Sequence, residues 1–212
     1  MDEARQIRDF WFGKLPMTAQ ALEQRMRFWG AAIRFPADEA EELRDKRDQI
    51  IRSRFSRLLE RAAQGELASW ADSPRRSLSL ILLFDQFPRH IYRHTAKAFA
   101  YETQALALAL SGMQSAADGA LDVVERLFFY MPLQHCEARE VQEESVAAYR
   151  RLVGEAPQEF RGVFATSLEL ARQHRSIIER FGRFPHRNKA LGRPSTPQEE
   201  AWLSESGDRM SQ

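Results

Sequence analysis

Apolar residues in this chain recur at intervals of three and four, and no Val/Ile/Thr-rich run alternates apolar with polar positions. That period puts side chains on one face of a helix and argues against half-buried strands, so the expected fold is all-α. For 212 residues, at roughly 100 to 200 residues per domain, a single helical domain over 1–212 is expected, with 204–212 a frayed tail.

Starts and stops divide the chain into about nine helices. The first carries Ile7, Phe10 and Trp11 and stops near Gly13; the second follows Thr18, carries Leu22, Met26, Trp29 and Ile33, and stops before Pro36. Asp38 and Glu41 have capping-box spacing for a long third helix containing Ile51, Phe55, Leu59 and Ala62. Pro74 suits the first turn of the fourth, which is apolar all round from Leu80 to Phe84 and is expected to be central. An Ala-rich fifth runs from Thr95 to Gly112, a sixth from Leu121 to Met131 before Pro132, and a seventh from Cys136 to Val153. The eighth, Pro157 to Gly182, keeps Phe160, Phe164, Ala171, His174, Ile178 and Phe181 on one stripe, and Thr196-Pro197-Gln198-Glu199 opens a ninth that buries Trp202 and Leu203. Short connections make neighbours antiparallel, as in a bundle or a stack of helical hairpins.

Opposite charges nearly balance, with a formal net charge of +1. Bulk attraction to nucleic acid or an anionic membrane is therefore not expected, and any anion site must be local. The single cysteine, Cys136, excludes an intramolecular disulfide and fits a reducing compartment. Without a secretory signal or an apolar stretch approaching about 20 residues, a cytoplasmic protein is expected.

Unusual polar chemistry gathers at four proline corners: Arg34-Phe35-Pro36, Asp85-Gln86-Phe87-Pro88-Arg89, Tyr130 to Glu137 around Pro132, and Arg183-Phe184-Pro185-His186-Arg187-Asn188. They follow helices two, four, six and eight. In an up-and-down topology these ends share one side of the molecule, so the corners are expected to converge. Asp85, near a helix C-terminus where the dipole disfavours a carboxylate, requires a cation from Arg89, Arg93 or Arg183. The stretch from Arg172 to Arg193 sets six arginines and Lys189 against Glu179, although all but four of the 31 basic residues are arginine. Guanidinium forks grip carboxylate or phosphate, so Arg89, Arg93, Arg183, Arg187 and Arg193, with His186 and Asn188, are the expected anion ligands. His135, Glu137 and Asp85 are the candidates for proton transfer, with His174 and Tyr130 behind them. His174 also fits an ordinary core position. No His-x-x-x-His or Cys-x-x-Cys spacing supports a metal, no Gly-rich nucleotide loop or Gly-x-Ser-x-Gly is present, and no cofactor is expected.

These segments resemble a bacterial family known as domain of unknown function 924, whose members have tetratricopeptide-type helical folds. The matching residues are Phe10-Trp11-Phe12, Asp48-x-x-Ile51 with Phe55, Gly65-x-Leu67-x-x-Trp70, Leu83 to Arg89 with Arg93, and Phe128 to Glu137 with Gln142. His174, Arg180 to Asn188, Leu191-Gly192-Arg193 and Ser195-Thr196 complete them. Phe84 stands where the family usually has Leu and Cys136 where it has Ser, which weakens any thiol mechanism, and the segment between Trp29 and Asp48 is enlarged. The resemblance implies a tetratricopeptide-like helical stack and no particular activity. Two functions follow from the residues: a pocket for a small anionic molecule with hydrolytic or acid/base chemistry, or a helical module that binds a protein partner. RNA binding through Arg172 to Arg193 ranks below both.

Overall fold

The computed structural model describes the backbone of residues 2–30 and 37–206, with side chains for 2–30 and 41–205. All the regular elements described are helical, with no strand among them. They are α1 (Glu3–Phe12), α2 (Ala19–Trp29), α3 (Ala37–Ala63), α4 (Pro74–Ile81), α5 (Phe87–Ile91), α6 (Glu102–Gln114), α7 (Val123–Phe129), α8 (Met131–His135), α9 (Arg139–Glu155), α10 (Arg161–Phe181) and α11 (Pro197–Ser206). A π-helical segment, Leu82–Gln86, joins α4 to α5, and only Tyr130 separates α7 from α8, so these pieces form nine rods among the described residues. None is long and apolar enough to cross a membrane.

Every residue from Ser77 to Ile91 is buried, which makes the α4–α5 rod the axis of the molecule as its all-round apolar sequence requires. α1, α6 and α7 pack on α4, α3 packs on α5, and α9 lies along α10 while also touching α7 and α8. Phe10, Trp11, Phe12, Phe28, Trp29, Phe55, Phe87 and Phe128 form a continuous aromatic core, with the Trp29 and Phe128 centroids 4.5 Å apart. A smaller cluster of Ile177, Ile178 and Phe184, against Phe181 and Trp202, holds the C-terminal segment to α10.

The prolines act as restarts rather than stops. Pro88 has no N–H to continue a ladder and its ring crowds the carbonyl four residues back. The π turn absorbs this: Phe87 N–H bonds to Leu82 O, five residues back, and Pro88 then sits in the first turn of α5. Pro132 likewise occupies the first turn of α8 instead of ending the preceding helix. The second helix ends at Trp29, short of Pro36, because Gly30 takes a left-handed conformation with φ 81°. The fifth begins later than the Ala-rich pattern suggests, since Ala96–Phe99 forms a 3-10 turn first. Trp202 and Leu203 are half-buried rather than buried. The Arg34-Phe35-Pro36 corner and the Asp38 cap lie outside the described residues and side chains.

Gly112 lies inside α6 and does not cap it; a Cβ there would meet Phe129 Cζ at 2.5 Å. Phe129 is buried, so its ring must shift within the core to make room. Gly112→Ala is therefore expected to destabilise the fold by about 1 to 2 kcal/mol, the overpacking cost exceeding a helix-propensity gain of about 1 kcal/mol. Urea denaturation checks this; a higher midpoint for the variant would contradict it.

Candidate functional site

The corners after the fourth, sixth and eighth sequence helices do converge, around Asp85 in the π segment. The Asp85 side chain has no exposed surface, and its Oδ1 lies 2.7 Å from His135 Nδ1 and 3.5 Å from Arg89 Nη2. Oδ2 accepts from Gln86 Nε2 at 2.6 Å. Arg89 Nη2 also donates to Glu102 Oε1, and Arg187 Nη1 donates to Glu102 Oε2 at 3.1 Å. Glu102 thus bridges two guanidinium groups, one contributed by α5 and the other by a 3-10 turn, Pro185–Arg187. Aromatic faces hold those groups: Arg187 Cζ is 4.5 Å from the Phe184 centroid and 4.9 Å from Phe99, and Arg89 Cζ is 5.4 Å from Phe99.

Burial opposes ionisation of Asp85, yet the charge interaction with His135, the charge of Arg89 and the hydrogen bond with His135 hold its carboxyl well below the usual range. His135 is lowered as well, to about 3, because burial and Arg89 outweigh its pairing with Asp85. The pair is accordingly an ionised Asp85 and a neutral His135; the proton sits on Nδ1 and leaves Nε2 as an acceptor. His174 and His186 continue from it as a row, with His135 and His174 centroids 6.3 Å apart and both His174 and His186 against Phe184. Burial and Arg187 lower His174 to about 4 and His186 to about 3. His186 Nδ1 is buried without a hydrogen-bond partner, as is Arg187 Nε. Burial and the adjacent Arg89 lower Arg187 to about 10, while burial raises Glu102. The surroundings of the three neutral imidazoles are therefore rich in positive charge.

The remaining candidates lie in other networks. Arg93 and His90 meet Asp48 of α3, with Asp48 Oδ1 2.9 Å from His90 Nδ1 and Oδ2 2.8 Å from Arg93 Nε. Arg183 pairs with Glu199 at 2.7 Å, and Asn188 Nδ2 reaches the same carboxylate at 3.3 Å. Arg193 donates to Asn188 Oδ1 and to both oxygens of Glu137, at 2.7 and 3.0 Å, while Phe184 N–H donates to Glu137 Oε1 at 2.8 Å. Glu137 is thus held low in pKa, despite burial, as part of a clamp on the C-terminal segment. Tyr130 turns its hydroxyl to Asp118, and burial with that carboxylate pushes it up to about 12. His174 Nδ1 donates to Leu170 O at 2.8 Å, the satisfied helical histidine that its position suggests, while its ring lies in the row. The basic run disperses: Arg172 meets Glu169, Arg175 meets Glu179, and only Arg187 among its members joins the Asp85 network. Among the described residues, no group of three His, Cys, Asp or Glu side chains is placed to hold a metal ion.

Three residues of these networks escape sequence reasoning. Glu102 is 85 residues from Arg187, and its place at the start of α6 signals only a favourable helix N-terminus. Asp48 and Gln142 enter solely through their places in the family pattern. Gln142, fully buried on α9, donates through Nε2 to the carbonyls of Leu133, Gln134 and Cys136 and so fixes the end of α8 that carries His135.

Fold and site together define an all-helical chain whose helix corners close on a buried Asp/His/Arg/Glu network. The chain belongs to the bacterial proteins of unknown function DUF924, whose family model matches residues 7–207. The solved structure of a protein of unknown function, ATU0120, from Agrobacterium tumefaciens is similar, with 35% identity and a TM-score of 0.68 over 76% of this chain and 85% of that one. No curated protein compared with the chain matches it.

The histidines set a pH dependence. His90, His135, His174 and His186 all have folded pKa values of about 3 to 4, below the ordinary value near 6.5. Between those values the unfolded chain binds protons that the folded chain refuses, so stability is full above about pH 6.5 and is lost on acidification. Each such histidine contributes a slope of up to about 1.4 kcal/mol per pH unit. Urea midpoints are expected to be level from pH 7.5 to about pH 6.5 and to fall from there to pH 5, above the window in which the low-pKa carboxylates act; a series that stays flat or rises below pH 6.5 would contradict it.

Proposed function

We propose that the chain binds a small anionic molecule where the three corners meet, and that the Asp85–His135 pair exchanges a proton with it. The observation that carries this reading is the 2.7 Å contact between His135 Nδ1 and an ionised, fully buried Asp85, beside two buried arginines. Asp85 orients the imidazole and Nε2 acts as general base, or as general acid once protonated. Arg89 and Arg187 hold the anionic group, and His186 supplies a further polar contact through Nδ1. An anion here lowers the local positive potential, raises the histidine pKa values and so primes His135 for proton transfer. Glu137, Arg183, Asn188 and Arg193 serve by fixing the segment that carries His186 and Arg187.

One observation favours the alternative, a helical module for a protein partner. An apolar groove of about 320 Å³, lined by Ala62, Leu67, Ala68, Leu80, Phe84 and Leu108 among others, lies apart from the polar network. Such a groove suits an apolar anchor from another chain.

Thermal denaturation with inorganic phosphate, acetate or citrate separates the two. A bound anion stabilises by RT ln(1 + [L]/Kd), about 2.7 kcal/mol at a hundredfold excess over Kd. A rise in Tm is expected for the wild type and its loss in Arg187→Ala, with helical circular dichroism retained. If Arg187→Ala unfolds and no anion stabilises the wild type, the network is architectural and the protein-binding reading stands.

A further inference from the structure

Glu102 occupies an unusual place. Its two oxygens are divided between two guanidinium groups, Oε1 to Arg89 and Oε2 to Arg187, as a bridging carboxylate from a bound molecule would be. Its side chain is 24% exposed, against 6% for Arg89, 4% for Arg187 and none for Asp85. Of these four charged groups it is the one that borders solvent, and it stands at the first residue of α6, next to the 3-10 turn Ala96–Phe99. Glu102 is not the only group that positions the arginines. Arg187 is sandwiched between Phe99 and Phe184, and Arg89 is held by Phe99 and Asp85. With Glu102 swung outward, the two guanidinium groups lose the carboxylate they share in a buried setting.

From this geometry we infer that Glu102 is a built-in stand-in for the ligand, and that the molecule bound here carries a carboxylate which displaces Glu102 and bridges Arg89 and Arg187 in its place. A planar two-oxygen group reproduces the Glu102 contacts oxygen for oxygen. The displaced side chain has a route to water, since it is already part-exposed and lies at a helix start. The inference rests on the anion-binding reading and adds to it the chemical class of the ligand and the group that competes with it. Because Glu102 fills the site in the unliganded chain, the apparent affinity of the wild type is reduced by the small fraction of molecules in which the site is open.

The test compares wild type, Glu102→Ala, Glu102→Gln and Arg187→Ala by thermal denaturation in sodium acetate, with sodium phosphate as a second anion and sodium chloride as the ionic-strength control. Glu102→Ala is expected to melt below the wild type in chloride and to be restored saturably by acetate. Half-saturation should fall at a concentration about tenfold or more below that of the wild type, as removal of a competitor that fills the site nine-tenths of the time requires. Glu102→Gln, nearly isosteric, gives the same direction and decides the matter if Glu102→Ala does not fold. Equal acetate dependence in wild type and both Glu102 variants overturns the inference. Restoration by phosphate but not acetate overturns the carboxylate assignment. If acetate acts on the wild type through Arg187 and the Glu102 variants behave alike, anion binding survives and the stand-in role does not; if no anion stabilises any of the four, both fall.

Discussion

An ionised carboxylate without any exposed surface must be compensated from within, because taking one such charge out of water costs several kcal/mol even after the protein relaxes. Asp85 is that group, and its compensation recruits the rest of the fold. His135 arrives on α8, Gln86 from the same π segment, and Arg89 from α5. Arg89 is a buried cation in turn and draws in Glu102 of α6, which draws in Arg187 from the far end of the chain. The central rod, α6, α8 and the C-terminal segment are thus connected by one alternating series of charges. Removal of one member takes a partner from a buried neighbour, so these residues act on stability together.

The helical architecture was legible because it depends on periodicity, which is local. Pro88 and Pro132 misled as stops because proline is equally at home in a first turn, and whether a helix restarts after it depends on the packing around it. Asp85, Arg89, His135, His186 and Arg187 were found as polar residues at helix corners, and the shared side of alternate corners brought them together. Arg93 shows the limit of spacing. It stands four residues after Arg89 and would share its face on a continuing helix, but α5 ends at Ile91 and Tyr92 leaves helical geometry, with φ −118° and ψ 32°. The chain then carries Arg93 to Asp48. Glu102 had no local signature at all, since its partners are 13 and 85 residues away.

α5 is short, yet it stands between two Asp–His pairs, one fully buried and the other part-exposed at Asp48. Arg89 belongs to the network of Asp85 and His135, while the next residue, His90, belongs to that of Asp48. His90 also lies against Trp11, with ring centroids 5.7 Å apart, which links the second pair to the aromatic core. The two pairs differ in company: Asp48 is gripped directly by Arg93, whereas Asp85 shares Arg89 with Glu102. The first arrangement saturates its carboxylate with a partner of its own. The second shares Arg89 between two acids.

The π turn has a consequence for the lineage as well as for the fold. An α-helix advances about 100° per residue, and a segment that closes on the fifth residue back rather than the fourth carries one residue more than the surrounding ladder needs. The two halves of the central rod are therefore out of phase, and the corner residues after Gln86 point where they do because of that extra residue. A relative that lost it would heal its helix and gain regular hydrogen bonds, but would rotate Arg89 and His90 by about 100° relative to α4, and with them the contacts to Glu102 and Asp48. The irregularity is thus tied, in this chain, to where Arg89 and His90 meet Glu102 and Asp48.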